Sequence, residues 1–84
     1  MPIDLVTIGL LGSTLGSEAV RNMFKSLVRK RIAERSTLRA VDDDADRKLA
    51  ALVEADLISA APGDRYFVTA KGLKVARDLE KIPG

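Results

Sequence analysis

A run of aspartates at residues 42–46 (D-D-D-A-D) is the part of this sequence best suited to metal chemistry. Its D-D-x-x-D spacing matches a magnesium–diphosphate motif of prenyl-transferring enzymes, but 84 residues cannot enclose the large helical cavity that such enzymes need. The run also begins like a calcium loop. In such a loop, however, a glycine and a bidentate glutamate are required where this chain has Arg47 and Val53. We therefore predict no metal site and expect the aspartates to cap a helix, because carboxylates stabilise the amides of a helix N-terminus.

The residues that most other catalytic mechanisms need are missing. The chain contains no histidine and no cysteine, which excludes disulfides and the usual zinc ligands. It also has no glycine-rich phosphate loop and no serine beside a plausible base. We therefore predict that the protein is not an enzyme and needs no cofactor.

Basic residues are the remaining candidates for binding chemistry. The formal net charge is only +2, but the charges are segregated along the chain. Residues 21–39 hold seven bases against one acid, residues 40–64 hold seven acids against two bases, and residues 65–84 hold five bases against two acids. The first of these segments is the best anion-binding part of the chain. Its bases are Arg21, Lys25, Arg29, Lys30, Arg31, Arg35 and Arg39.

The basic segment overlaps a helix that the apolar pattern predicts clearly. Ser17 is suited to cap its start, and apolar residues recur at helical spacing from Val20 to Ile32. The cations of residues 29–31 would close this helix, where they offset its dipole. Residues 34–41 fit either a short helical turn or a short strand.

A second helix and a hairpin are expected in the middle of the chain. Ala45, Leu49, Leu52 and Val53 define one face of a helix over residues 43–55. Two short strands, at residues 57–60 and 65–69, flank a turn. In that turn Pro62 presets the first backbone angle and Gly63 accepts a positive φ. Thr69 is suited to cap a last helix that runs from Ala70 to about Ile82.

The segment before the basic helix is almost entirely apolar. Residues 3–15 can form a helix with a narrow polar stripe of Asp4, Thr7 and Thr14. A segment that is apolar nearly all round needs to be covered, either by the core or by a second copy of the chain.

The central residues resemble a known family. The stretch L-A-A-L-V-E-A-D-L-I at residues 49–58 is followed by Y-F-V-T-A-K-G at residues 66–72. Together they are similar to the winged helix-turn-helix DNA-binding regulators of bacteria and archaea, over residues 42–82. In that family a helix ends in L-x-x-L-x-x-x-G-L-I and a Y-x-L-T-x-K-G segment opens the final helix. Here Asp56 replaces the usual glycine at a position that tends to be left-handed, and aspartate tolerates that conformation better than most residues.

The resemblance implies a single winged-helix domain over residues 1–84. Its class would be α+β and mostly α, with about three helices, a two-stranded wing hairpin and a C-terminal helix. The short helix that precedes the recognition helix would have to come from residues 33–41.

The resemblance also implies double-stranded DNA as the partner, with residues 43–55 entering the major groove. Under this hypothesis Arg47 and Lys48 lie on the recognition helix and Arg65 lies at the wing, while phosphate contacts come from Arg29, Lys30, Arg35 and Arg39. Binding would depend strongly on salt and on the bases of residues 21–39 at least as much as on Arg47. The expected role is a small transcriptional regulator or another DNA-transaction factor.

The acids on the predicted recognition helix leave an alternative open. Asp43 and Glu54 point outward beside Arg47, and carboxylates repel phosphates. A winged helix can instead serve as a protein–protein interaction module without DNA binding. In that case the acidic residues 42–46 and the basic residues 21–39 would dock a partner or each other.

The small core favours a homodimer. With only three aromatic residues in 84, the core must be built from Leu, Val, Ile and Ala, and domains of this size often need a partner. The expected contacts are Ile3–Leu15 or Leu73–Ile82. The apolar start is too short to span a bilayer and lacks a basic leader, so we expect a cytoplasmic protein without membrane contact.

Overall fold

A computed structural model of the chain describes residues 3–82 and has an α+β fold that is mostly helical. In chain order, the helices and strands are α1 (Leu5–Leu11), a 3-10 turn (Thr14–Gly16), α2 (Glu18–Lys30), β1 (Ile32–Glu34), α3 (Arg35–Val41), α4 (Ala45–Glu54), β2 (Ile58–Ala61), β3 (Arg65–Val68) and α5 (Ala70–Glu80). None of the helices in residues 3–82 has the length and apolar character needed to cross a membrane.

The hairpin forms where the sequence predicts it. Strands β2 and β3 pair antiparallel, with Ser59 opposite Phe67, and the loop between them contains Gly63 at a φ of +83°. This positive φ is the conformation for which a glycine is favoured. The predicted turn and the start of the last helix at Ala70 are therefore confirmed.

A third strand was not expected. Strand β1 pairs antiparallel with the other edge of β3, so the sheet order is β1-β3-β2 and Ile32 lies opposite Phe67. The predicted hairpin supplies two of the three strands, but β1 was not predicted. The helical spacing that reaches Ile32 extends past the end of α2, which the cations of residues 29–31 close as predicted. Helix α2 ends because Arg31 adopts a φ of +69°, and the Arg31 carbonyl then accepts a hydrogen bond from the Val68 amide at 3.2 Å.

Helix α2 lies at the centre of the core. Ser17 caps it as predicted, accepting a hydrogen bond from the Val20 amide at 3.4 Å. Its buried face meets α4, the sheet and α5. Full burial of one leucine-sized side chain stabilises the fold by about 1.5–3 kcal/mol. The core formed by these buried faces therefore supplies most of the free energy that drives folding. Its fully buried members include Leu15, Phe24, Leu27, Leu49, Leu52, Leu57, Ile58 and Val75.

Helix α1 covers the end of α5 through a polar contact. The buried Thr7 hydroxyl donates to the Asp78 carboxylate at 2.7 Å. Asp4 caps α1 by accepting from the Val6 amide and pairs with Lys74. Asp4 and Thr7 of the polar stripe therefore face the protein, while Leu5 on the outer side is 82% exposed.

The T-x-K-G segment (residues 69–72) links the end of α4 to the start of α5 through hydrogen bonds. The Thr69 hydroxyl accepts from the Gly72 amide at 2.9 Å, which confirms the predicted cap, and donates to the Asp56 carbonyl at 2.6 Å. Lys71 donates to the Ala55 carbonyl at 2.9 Å, just beyond the end of α4. Asp56 has a φ of +62°, as expected for the position where the family has glycine. These contacts hold the end of α4 against the start of α5.

Candidate nucleic-acid interface

Helix α3, helix α4 and the hairpin loop form one surface, which we call the α3–α4–loop surface (residues 35–54 and 62–65). Helix α4 buries Ala45, Leu49 and Leu52 against the core and leaves Arg47 exposed. The loop is tied to the start of α3, because the Arg35 amide donates to the Asp64 carbonyl at 2.8 Å. This surface therefore brings together an exposed helix and a hairpin loop.

Two arginines on α3 converge on one carboxylate of α4. Arg35 Nε lies 3.0 Å from Asp46 Oδ1, and Arg39 Nη2 lies 2.5 Å from Asp46 Oδ2, with Arg39 Nε also within 3.1 Å. The two arginines are one helical turn apart, so their side chains leave α3 on the same side. We call this group the Arg35–Arg39 clamp.

The clamp keeps Asp46 ionised. Hydrogen bonds from Arg39 and then from Arg35 hold the pKa of the Asp46 carboxyl far below its usual range. The same contacts raise the pKa of both arginines. Both oxygens of the Asp46 carboxylate thus accept hydrogen bonds from the two arginines.

Two of the remaining aspartates of residues 42–46 pair with bases rather than capping α4. Asp44 takes the N-cap position but makes no capping hydrogen bond with its side chain, so the expected cap was wrong, although Asp46 does lie in the first turn of α4 as expected. Asp44 instead binds Arg47, and Asp42 binds Lys48. These bases lower the pKa of both carboxyls. The physical reason is that a hydrogen bond between opposite charges is about twice as strong as one between neutral groups.

The predicted site residues are divided among three places. Arg35, Arg39 and Arg47 lie on the α3–α4–loop surface, and Arg65 joins them at the loop, where its Nε donates to the Pro62 carbonyl at 3.1 Å. Lys48 belongs to α4, but its side chain is only 13% exposed. The other two predicted bases lie on opposite flanks of α2. Arg29 lines a groove between α2 and α5, whereas Lys30 lines a groove toward α3 and α4.

The charge balance of this surface differs from that of the basic segment. Residues 35–54 and 62–65 together contain five bases and six acids. At Arg35, Arg39 and Arg47 a phosphate would therefore have to replace a carboxylate as the partner of the arginine. The role of Asp46 as the partner of Arg35 and Arg39 was missed in the sequence. The only sequence signal for this contact is the spacing of the residues: two bases lie one helical turn apart, and an acid follows in the first turn of the next helix.

No group of three or more acidic residues in the part of the chain that the structure describes is arranged to hold a metal ion. Comparison with protein families, with curated proteins and with solved structures finds no match to this chain. The assignment of a function therefore depends on the residues and their geometry.

Proposed function

We propose that the protein is a winged-helix DNA-binding domain, acting as a small transcriptional regulator or DNA-transaction factor, that presents the α3–α4–loop surface to duplex DNA. The element order supports this proposal: a helix, a strand, two helices joined by a three-residue turn, a hairpin and a closing helix. The sheet order β1-β3-β2 fits the same architecture. A DNA-binding role agrees with the cytoplasmic location expected from the sequence.

The Arg35–Arg39 clamp is the observation that carries the proposal. Two guanidinium groups hold a single anionic partner at the edge of an exposed helix. A DNA phosphate offers the same negative charge and suitable acceptor oxygens, and guanidinium groups bind phosphates as well as carboxylates. In the proposed complex a phosphate takes the place of Asp46 between Arg35 and Arg39, and Arg65 reaches a phosphate beside the loop.

Arg47 is the residue proposed to read the bases. It lies on the exposed face of α4 with 65% of its side chain accessible, and its only ion pair among residues 3–82 is with the neighbouring Asp44. An arginine in the major groove can donate to O6 and N7 of guanine. Arg47 therefore contributes sequence preference, while the clamp contributes affinity.

A titration of random duplex DNA tests the proposal. Replacing Arg35 and Arg39 together with alanine removes two phosphate contacts, so the slope of log K against log salt should fall by about 1.8 units. Fluorescence anisotropy of a labelled duplex at two salt concentrations measures that slope. The matched control is Lys25→Ala with Arg29→Ala. Arg29 was expected from the sequence to contact phosphate, but it lines the groove toward α5 and is not part of the proposed DNA surface. This pair therefore removes the same charge from another face and should leave the slope close to that of the wild type.

A second candidate function is a winged-helix protein-interaction module that does not bind DNA. The charge balance of five bases against six acids on the α3–α4–loop surface favours it. The same titration separates the two functions. If the wild-type protein does not bind duplex DNA even at low salt, the DNA proposal is wrong and the interaction module takes its place.

We also propose that the protein is a homodimer that associates through the outer face of α1. Leu5 is 82% exposed and Ile8 is 51% exposed, and no atom lies within 4 Å of a Cβ placed on Gly9. Of the two predicted contacts this one is favoured, because Leu79 on α5 is buried within the chain. Sedimentation equilibrium at micromolar concentration should give twice the 9.1 kDa monomer mass.

The Ile8→Glu variant should then sediment as a monomer, whereas Val41→Glu, a change at an exposed valine of α3, should leave the dimer intact. A wild-type protein that remains at the monomer mass over the whole concentration range would contradict this proposal.

A further inference from the structure

A groove between α2 and α5 is a candidate for a second binding surface. One wall is the flank of α2 that carries Arg21, Lys25 and Arg29 at intervals of one helical turn, with Glu18 and Asn22 at the end near Arg21. The other wall is α5 with the residues that follow it. Its lining residues on that side are Ala76, Leu79, Glu80 and Ile82. We call this feature the α2–α5 groove.

The floor of the groove contains apolar side chains that are incompletely covered. Leu11, Val28, Ala76 and Ile82 pack against the core but keep part of their surface accessible. Covering such surface releases water and contributes about 25 cal/mol for each Å² removed from solvent. The floor therefore favours a partner with an apolar stripe.

Two of the bases along the groove are not held in ion pairs in the described part of the chain. Within residues 3–82, Lys25 and Arg29 form no ion pair with an acid, in contrast to Arg35, Arg39 and Arg47. Arg21 donates to the Leu15 carbonyl at 3.2 Å, which holds its guanidinium at one end of the groove. From residue 21 to residue 29 the row of bases covers eight residue steps along α2, or about 12 Å at 1.5 Å per step.

We propose that the α2–α5 groove binds an acidic amphipathic helix of another protein. Such a helix would place its apolar stripe on the groove floor, and its carboxylates, one turn apart, would meet Lys25 and Arg29. Helices that dock in grooves in this way are read by anchors at positions i, i+3, i+4 and i+7. The groove lies on the flank of α2 opposite to the one that faces α3 and α4. The α2–α5 groove is therefore separate from the proposed DNA surface.

The charges and the floor disfavour two other occupants. A second copy of the chain has its acidic run at residues 42–46, but Asp42, Asp44 and Asp46 are already paired with bases of their own chain. Duplex DNA could neutralise the row of bases, but its backbone would leave the apolar floor uncovered.

A synthetic peptide provides the test. The probe is a labelled 14-residue helix with leucines at i, i+3, i+4 and i+7 and glutamates one turn apart beside them, titrated with the full chain by fluorescence anisotropy. The wild-type protein should bind it, and Lys25→Glu with Arg29→Glu should weaken binding at least about tenfold, since two favourable charge pairs become repulsive. A peptide with lysines in place of the glutamates should bind this double variant better than it binds the wild type.

The matched control is Lys30→Glu with Arg31→Glu, which reverses two exposed charges at the end of the same helix and should leave peptide binding unchanged. Thermal unfolding followed by circular dichroism establishes that each variant is folded. The proposal is overturned if the wild type does not bind the acidic peptide or if both double variants bind it equally. It is also overturned if Lys25→Glu with Arg29→Glu lowers duplex affinity more than the control does, or converts a dimer to a monomer. Those outcomes would assign the groove to DNA or to a second copy.

Discussion

The Gly72→Ala variant is expected to be much less stable than the wild-type protein. A Cβ at residue 72 would lie 2.2 Å from the Leu57 carbonyl oxygen and 2.8 Å from a methyl carbon of Val68. The first contact is with backbone, so no change of side-chain conformation relieves it. Overpacking typically costs about 1–3 kcal/mol, and a contact with backbone places this variant at the upper end of that range, which is a large part of the stability of a domain of this size. The midpoint of urea unfolding should fall accordingly, or the variant should be unfolded in buffer.

Gly9→Ala is the matched control, because it adds the same methyl group to a helix of the same chain. No atom lies within 4 Å of a Cβ at residue 9. Alanine is favoured over glycine inside a helix by about 1 kcal/mol, so this variant should be slightly more stable than the wild type when both are compared below the concentration at which the chain dimerises, since Gly9 lies on the proposed dimer face. If Gly72→Ala unfolds at the wild-type urea concentration, α5 does not cross Leu57 as closely as the structure places it.

The K-G pair of the T-x-K-G segment therefore has a structural role. Lys71 satisfies a carbonyl at the end of α4, and Gly72 allows α5 to pass directly over the start of β2. The motif that carries the family resemblance thus positions the exposed helix relative to the hairpin. It carries no group that contacts a ligand in the proposed complex.

Local signals account for the parts of the fold that the sequence predicts correctly. Helix α2, helix α5, their caps at Ser17 and Thr69 and the turn at Gly63 each depend on residues that are close together in the chain. Strand β1 could not be predicted in this way. It has three residues, which is too few to show an alternating pattern, and it exists because β3 offers it a partner more than thirty residues away.

The candidate site was only partly predictable for the same reason. Composition identified the bases, but neighbours in sequence can point to different places. Arg29 and Lys30 are separated by about 100° around a helix with 3.6 residues per turn, so they line different grooves. The pairing of Asp46 with Arg35 and Arg39 depends on the packing of α4 against α3, which no local pattern encodes.

Asp46→Asn is expected to strengthen DNA binding, although it removes the partner of two arginines. In the proposed complex a phosphate must displace the Asp46 carboxylate, and the neutral amide is a much weaker competitor. Removing this competitor should raise the affinity for random duplex DNA about tenfold at low salt, whereas the salt slope should stay close to that of the wild type, because the same two phosphate contacts form in both complexes. Fluorescence anisotropy at the salt concentrations used for the wild type measures both quantities.

Asp64→Asn is the control, since it makes the same change of charge on the same surface. Asp64 Oδ1 lies 3.9 Å from Arg35 Nη1, and the Asp64 side chain is 82% exposed, so it competes weakly for the arginine. A gain at Asp46 well above the gain at Asp64 would show that the clamp itself is the phosphate site. Equal gains would mean that only net charge matters. A loss of affinity in Asp46→Asn would mean that the carboxylate orients the arginines for DNA, and the exchange of Asp46 for a phosphate would then be wrong.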